Sequence, residues 1–307
     1  MKKIVLITSI LGILPSFGGV GGGWGFFAQT TANRFFYELT FKPKKDSAKL
    51  DKMLTVLDII PAEKSIYQDY TFMAQDSLIT AEAELMEKSG VWKDLSQSVK
   101  MPKFTYKVTK FYPEMKERYQ DQIGAKIFGY EENYTFDWKL SPEKQKIGEY
   151  ETQKATTTFG GRNWTAWFCN DIPFPDGPYK FHGLPGIIVK IEDDDKNYSW
   201  EMKGNKQIDD VSGLSQVEKL NAKNGIMQSD VSVIDKEKFE KSMSNFRADP
   251  LAEARPQLTP EVMSQKMPGS DKTVGEWVKE QEKMAIDFFN ANDNPIEIPQ
   301  ETGKKKK

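Results

Sequence analysis

Residues 187–202 read IIVKIEDDDKNYSWEM. Ile187, Val189 and Ile191 recur at every second position, as do Tyr198, Trp200 and Met202. Between them lies the polar run Asp193-Asp194-Asp195-Lys196-Asn197. Two apolar alternations around a polar turn predict an antiparallel β-hairpin, because side chains in a strand alternate faces. Outward from this hairpin the same period returns in Phe35, Tyr37, Leu39 and Phe41. It returns again in Ile66, Tyr70 and Phe72, in Phe104, Tyr106 and Val108, and in Tyr134, Phe136, Trp138 and Leu140. Each run predicts a half-buried strand. One helix interrupts them, with Asp76 as its cap, Leu78, Ile79, Leu85 and Met86 as apolar positions, and Gly90 as its end.

Past residue 205 the period becomes helical. Thr273 and Glu276 have the spacing of a capping box, followed at helical spacing by Val274, Trp277, Val278, Gln281, Met284, Ala285, Phe288 and Phe289, all apolar but Gln281. Asp235 to Phe246 predicts a second helix, with Phe239, Met243 and Phe246 on one face. Thr259-Pro260 marks a third start, since Pro suits the first helical position. The expected fold is β-rich α+β: a curved antiparallel sheet, as a half-barrel or sandwich, with C-terminal helices. The expected division is a signal peptide over 1–29, a β-rich domain over 30–205, a helical extension packed on it over 206–300, and a disordered lysine tail over 301–307.

Composition narrows the function. The 307 residues include one His and one Cys. One thiol cannot form an internal disulfide, and a zinc site of several Cys and His is excluded. Forty-three basic against 45 acidic residues lack the basic excess of a nucleic-acid binder. Beyond residue 29 the balance is 41 basic against 45 acidic, and four of those basic residues are Lys304 to Lys307. An acidic body therefore carries a basic tail.

Lys2 and Lys3 precede an apolar stretch from Ile4 to Leu14 that is stopped by Pro15. This is the pattern of a secretory signal peptide. An uncleaved anchor fits less well, because eight positions between Ile4 and Gln29 are Gly or Pro. Small residues Gly23, Gly25 and Ala28 place cleavage between Gly25 and Thr30. The glycines of Gly18 to Gly25 lie inside this leader, which is the wrong context for a nucleotide loop. The expected location is the periplasm, the outer membrane or the exterior.

Residues 147–191 read IGEYETQKATTTFGGRNWTAWFCNDIPFPDGPYKFHGLPGIIVKI. Within them stand Gln153-Lys154-Ala155, Gly161-Arg162, Ala166-Trp167-Phe168, Ile172-Pro173, Gly177-Pro178 with Phe181, and Gly183-Leu184-Pro185-Gly186-Ile187-Ile188. This segment resembles the GLPGLI family of secreted Bacteroidetes proteins, with Ile187 where the name has Leu. The resemblance is sharp over about 60 residues and implies an exported β-rich protein. It implies no catalytic residues, because the family has no established activity.

Read physically, Pro185-Gly186 suits the centre of a type II turn, with Gly at positive φ. Gly177-Pro178 reads as a second turn or extended kink. The segment from Asn170 to Gly183 then reads as a rigid, wide connection between two strands, with Ile172, Phe174, Tyr179, Phe181 and Leu184 tucked back as a plug. Either it closes one end of the core, or it forms a lip for a ligand or partner. The candidate binding residues are Ile172, Phe174, Gly177, Pro178, Phe181, His182, Gly183, Leu184, Pro185 and Gly186.

Other chemistries compete with plainer readings. Cys169 and His182 flank the loop and suggest a nucleophile pair, but a free Cys is commonly a buried structural thiol. Asp193 to Asp195 suit calcium by ligand type, yet three adjacent carboxylates cannot converge on one ion, so a solvated hairpin tip is expected. The chain lacks G-x-S-x-G, H-E-x-x-H and P-loop motifs. Acidic pairs for glycoside hydrolysis are uninformative among 45 acidic residues. The aromatic run from Tyr130 to Trp200 reads as core packing before it reads as a ligand groove. Asp46-Ser47-Ala48 and Asp76-Ser77-Leu78 resemble O-glycosylation acceptors of exported proteins in this bacterial group. Asn133, Asn163 and Asn197 begin N-linked sequons.

The expectation is an exported, non-enzymatic binding or accessory factor without cofactor or metal. Its partner would be an envelope protein or an apolar ligand, and not nucleic acid. The competing readings are a cell-envelope hydrolase and a self-assembling surface component.

Overall fold

The computed structural model describes residues 31–299 except 72, 90–99, 101, 125, 210–213, 217, 220–229 and 267–270. The expected leader, the Gly18 to Gly25 stretch, Phe72, Gly90 and the lysine tail lie outside the described residues. The alternating runs fold into a single open sheet of twelve strands. These are β1 (Ala32–Phe41), β2 (Asp51–Ile60), β3 (Lys64–Asp69), β4 (Lys107–Phe111), β5 (Lys116–Ile123) and β6 (Lys126–Glu132). They continue as β7 (Lys139–Ile147), β8 (Tyr150–Phe159), β9 (Arg162–Cys169), β10 (Ile187–Asp193), β11 (Tyr198–Ile208) and β12 (Val231–Val233). Their spatial order is β12-β6-β5-β4-β3-β2-β1-β11-β10-β9-β8-β7. All pairs are antiparallel except β12 with β6. The fold is the expected curved β-rich sheet with C-terminal helices, built as one sheet and not as a sandwich.

The hairpin at residues 187–202 forms as its alternation predicts, with Ile191 opposite Trp200. Phe35, Tyr37, Leu39 and Phe41 of β1 lie on the same inner face, as do Trp164, Ala166 and Phe168 of β9. The pairing runs through residue 205 to Ile208, and β12 and Ile296 also join the sheet and its core.

The alternation of Tyr134, Phe136 and Trp138 has a different cause from the expected strand. Residues 133–138 have no regular secondary structure and no strand partner, and β7 begins only at Lys139. They must connect β6, near one edge of the sheet, with β7 at the other. Seven peptide steps span at most about 25 Å, so the two margins curl toward each other. The arm's inward rings cover the core: Phe136 meets Phe159, Phe181 and His182 at 5.1, 5.5 and 5.1 Å. Leu140, expected inside, is exposed on the outer edge strand β7.

The helices are α1 (Asp76–Ser89), α2 (Lys236–Ala248), α3 (Pro260–Ser264) and α4 (Val274–Ala291). The capping box at Thr273 and Glu276 forms in both directions. Thr259 caps α3 by accepting from Val262 N. Asp76 is already helical, and its Oδ1 accepts from Gln216 N. Phe239 of α2 packs on Tyr119 and Tyr130, which seats the helix on β5 and β6.

Candidate functional site

The inner face of the sheet carries a row of aromatic rings that continues across strands. Tyr106 stacks on Tyr119 at 5.3 Å, and Tyr119 stacks on Tyr130 at 5.3 Å. Tyr198, Trp200 and Trp164 extend the row on the far side. Alternation carries the next inner positions to charged residues. Lys110 follows Tyr106 and Val108, Glu117 precedes Tyr119, and Glu132 follows Tyr130. Pairing aligns Ser65, Lys110, Glu117 and Glu132 side by side on β3, β4, β5 and β6. Lys110 and Glu117 have no solvent exposure.

Buried charges need partners, and the loop between β9 and β10 supplies them. Residues 176–182 are buried without interruption, which is unusual for a connection whose backbone must also be satisfied. Asp176 Oδ1 lies 2.5 Å from Lys110 Nζ. The Tyr112 hydroxyl donates to Asp176 Oδ2. Lys110 also donates to the carbonyls of Gly177 and Tyr179 at 2.7 and 3.1 Å, so one ammonium holds both a side chain and the loop backbone. Lys180 enters beside it. It pairs with Glu132, with Glu297 at 2.5 Å, and with the Tyr130 hydroxyl at 3.0 Å. Burial alone would lower the Lys180 pKa, but the charges of Glu297 and Glu132 outweigh it and the pKa rises. Burial likewise acts to raise the Glu297 carboxyl, and Lys180 and Lys236 bring it below its usual value.

His182 completes the cluster. Its Nδ1 is 2.9 Å from Lys180 O and 3.3 Å from Glu117 Oε1. One Nδ1 proton suits the shorter contact, which leaves both Glu117 oxygens without a hydrogen bond. Burial raises the Glu117 carboxyl, against the lowering effect of His182, Lys180 and Lys110. At the other end of β5, burial pushes Asp121 up to about 6, although Thr105 and the Gln122 amide donate to it.

The ten residues singled out in the sequence separate by position. Gly177, Pro178, Phe181, His182, Leu184 and Gly186 are buried, Ile172 and Phe174 are half-buried, and Gly183 and Pro185 are exposed. Gly186 corrects the expected type II turn, because it does not take positive φ. A Cβ there would lie 1.9 Å from Cys169 O, so glycine is required by close backbone approach where β9 meets β10. The positive φ falls instead on Gly183, at +93°. The Cys169 thiol is buried, and His182 Nδ1 faces Lys180 O and Glu117, so the structure does not assemble the considered nucleophile pair.

A second buried ionic knot corrects the solvated hairpin tip. Asp193 is buried and accepts from Arg162 Nη1, Asn197 Nδ2 and Tyr198 N. Arg162 also donates to Ile296 O, Asn294 Oδ1 and Pro295 O, at 2.9, 2.8 and 2.8 Å. Only Asp194 and Asp195 of the triplet are exposed.

The sequence reading missed Lys110, Glu117, Glu132 and Asp176. The available signal was a charged residue at an inward position of a period-two run.

No curated protein sequence matches the chain. Two solved structures of PNGF-II are similar at TM-score 0.47, with 12% and 13% identity over 71% and 72% of this chain. The chain spans about a third of their length, 33% and 34%. A solved domain from Vibrio parahaemolyticus, provisionally described as an outer membrane lipoprotein-sorting protein, is similar at TM-score 0.23. Its identity is 7%, over 67% of this chain and 93% of that one. At these values neither likeness bears on function. A family described as a protein of unknown function (Porph_ging) matches residues 161–190. That match covers β9, the buried loop and the start of β10, within the segment that carries the resemblance, under a name other than GLPGLI.

Proposed function

We propose that the protein is a non-enzymatic binding factor of the cell envelope, and that its occupant is an extended, acidic segment of another envelope protein. The observation that carries this reading is the loop itself. Its middle fills the concavity and its two ends are left at the surface. Asp171, Pro173, Pro175, Gly183 and Pro185 are exposed, while the residues between them anchor inward. A filled concavity favours a protein partner over an apolar ligand. The converging charged groups are sealed beneath the loop, which favours binding over catalysis.

Trp138 joins this lip to the adjacent edge strand. Its Nε1 donates to His182 O at 2.8 Å, and β7 begins at the next residue. The outer side of β7 has no partner strand among the described residues. Lys139, Lys144 and Lys146 are exposed along it, while Glu143 is paired with Lys154. Lysines on an edge discourage self-pairing, and they attract a strand of opposite charge. Envelope location rests on the basic-then-apolar leader pattern at Lys2 to Leu14.

The test is a photo-cross-linking residue at Pro185, in the full chain, in the cells that make it. A control carries the same residue at Lys241, exposed on α2. The expected result is a discrete adduct from position 185 alone, lost when Lys139, Lys144 and Lys146 are changed to Glu. Equal adducts from both positions, or an adduct unaffected by charge reversal, would overturn the reading.

A further inference from the structure

We propose that Glu117 and His182 form a one-proton latch that holds the loop in the concavity, so that the loop loosens when the pair loses that proton or gains a second. The inference stands apart from the binding reading and rests on the charges enclosed with the loop. From the sheet come Lys110 of β4, Glu117 of β5 and Glu132 of β6. The loop contributes Asp176 and Lys180, α2 contributes Lys236, and the C-terminal segment contributes Glu297. Ser65, Tyr112 and Tyr130 are the uncharged polar neighbours. Three ammonium groups therefore face four carboxylates. Every carboxylate but Glu117 has a lysine partner within ion-pair distance. Glu117 has His182 at 3.3 Å and no hydrogen bond.

One proton on the Glu117–His182 pair makes the cluster neutral, whichever member carries it. The titration belongs to the pair, because the two groups are in contact. Removing the proton leaves one uncompensated negative charge in a site with no solvent exposure at Glu117. Adding a second leaves one uncompensated positive charge. Either is costly inside a protein and is relieved by letting the loop move out into water. His182 is a loop residue and Glu117 a sheet residue, so loss of the pairing acts directly at their interface.

The composition makes the test simple. His182 is the only histidine, so a histidine-labelled sample gives one imidazole signal without assignment. Its pH titration in the wild-type chain should show two steps, the second reporting Glu117. Glu117→Gln keeps the shape of the protonated acid and removes one of the pair's two titrations, leaving only that of His182. In E117Q the imidazole should show a single step. Its unfolding equilibrium should also lose a pH dependence of about tenfold per pH unit, present in wild type where the unfolded chain has released the Glu117 proton and the folded chain still holds it. The sign follows from a raised carboxyl: the folded chain holds the proton more tightly, so stability falls as pH rises through the folded value. Parallel stability curves for the two proteins would overturn the latch. If E117Q does not fold, the wild-type imidazole decides alone, and a single step there would contradict it.

Discussion

Two buried ionic clusters hold this sheet, and they are satisfied to different degrees. In the Arg162 knot every strong group is used. Arg162 serves Asp193, Asn294 and the carbonyls of Pro295 and Ile296, and Asp193 accepts on both oxygens. The knot fastens residues 294–298 over the turn between β8 and β9, where Ile298 N also donates to Gly160 O. In the loop cluster Lys110 and Lys180 are equally well served, but Glu117 is left with both oxygens unbonded. A saturated network has one low-energy state and specifies a fold. A cluster with one unmatched charge has a second state within reach of a proton. The difference separates a fastening from a latch, although both bury charge at similar depth.

Removing one partner should be most damaging in both places. Arg162→Ala and Lys110→Met should each destabilise by about 3–5 kcal/mol, because each strands buried carboxylate or carbonyl groups. Denaturant melts would show this as a lower midpoint. The contrast sharpens with Lys110→Met combined with Asp176→Leu, which should recover much of the loss. A double variant no better than the single would mean that the ammonium's bonds to the Gly177 and Tyr179 carbonyls, and not the ion pair, hold the loop.

Gly186→Ala comes next, at about 3 kcal/mol, since its methyl group cannot fit beside the Cys169 carbonyl without parting β9 from β10. A neutral result would break the claim that the loop is closed by backbone contact at its end. Asp121 extends the comparison along β5. Its carboxyl is pushed up to about 6 by burial, so stability should fall as pH rises from about 4 through 6, by on the order of 3 kcal/mol. Asp121→Asn should flatten that limb in thermal melts at several pH values, while leaving the Glu117 limb in place. The smallest effect is expected at Gly183→Ala. Positive φ there costs an L-residue about 1 kcal/mol, and the site is open, with Trp138 atoms no nearer than 3.8 Å.

The hairpin, the inner aromatic stripes and the C-terminal caps were legible because each is a local pattern. Three readings failed for reasons visible in single residues. The alternation of Tyr134, Phe136 and Trp138 reports a chain with one covered face, and it does not distinguish a paired strand from a crossing arm. Gly186 is demanded by steric approach and Gly183 by φ, two causes that leave the same letter in the sequence. Asp193 looked solvated because its partner, Arg162, lies 31 positions away. The loop cluster was hidden in the same way. Lys110, Glu117 and Glu132 each break an apolar stripe, but only the fold brings Asp176 and Lys180 to meet them.

Residues 176–182 are a buried part of the core despite lying in a loop. Amide hydrogen exchange across residues 170–200 of the native chain tests this directly. The amides of Phe181, Gly183 and Ile188, which donate to Pro178, Pro175 and Asp176 carbonyls, should exchange as slowly as those of β9 and β10. Exchange as fast as at the exposed turn residues Asp194 and Asp195 would contradict it.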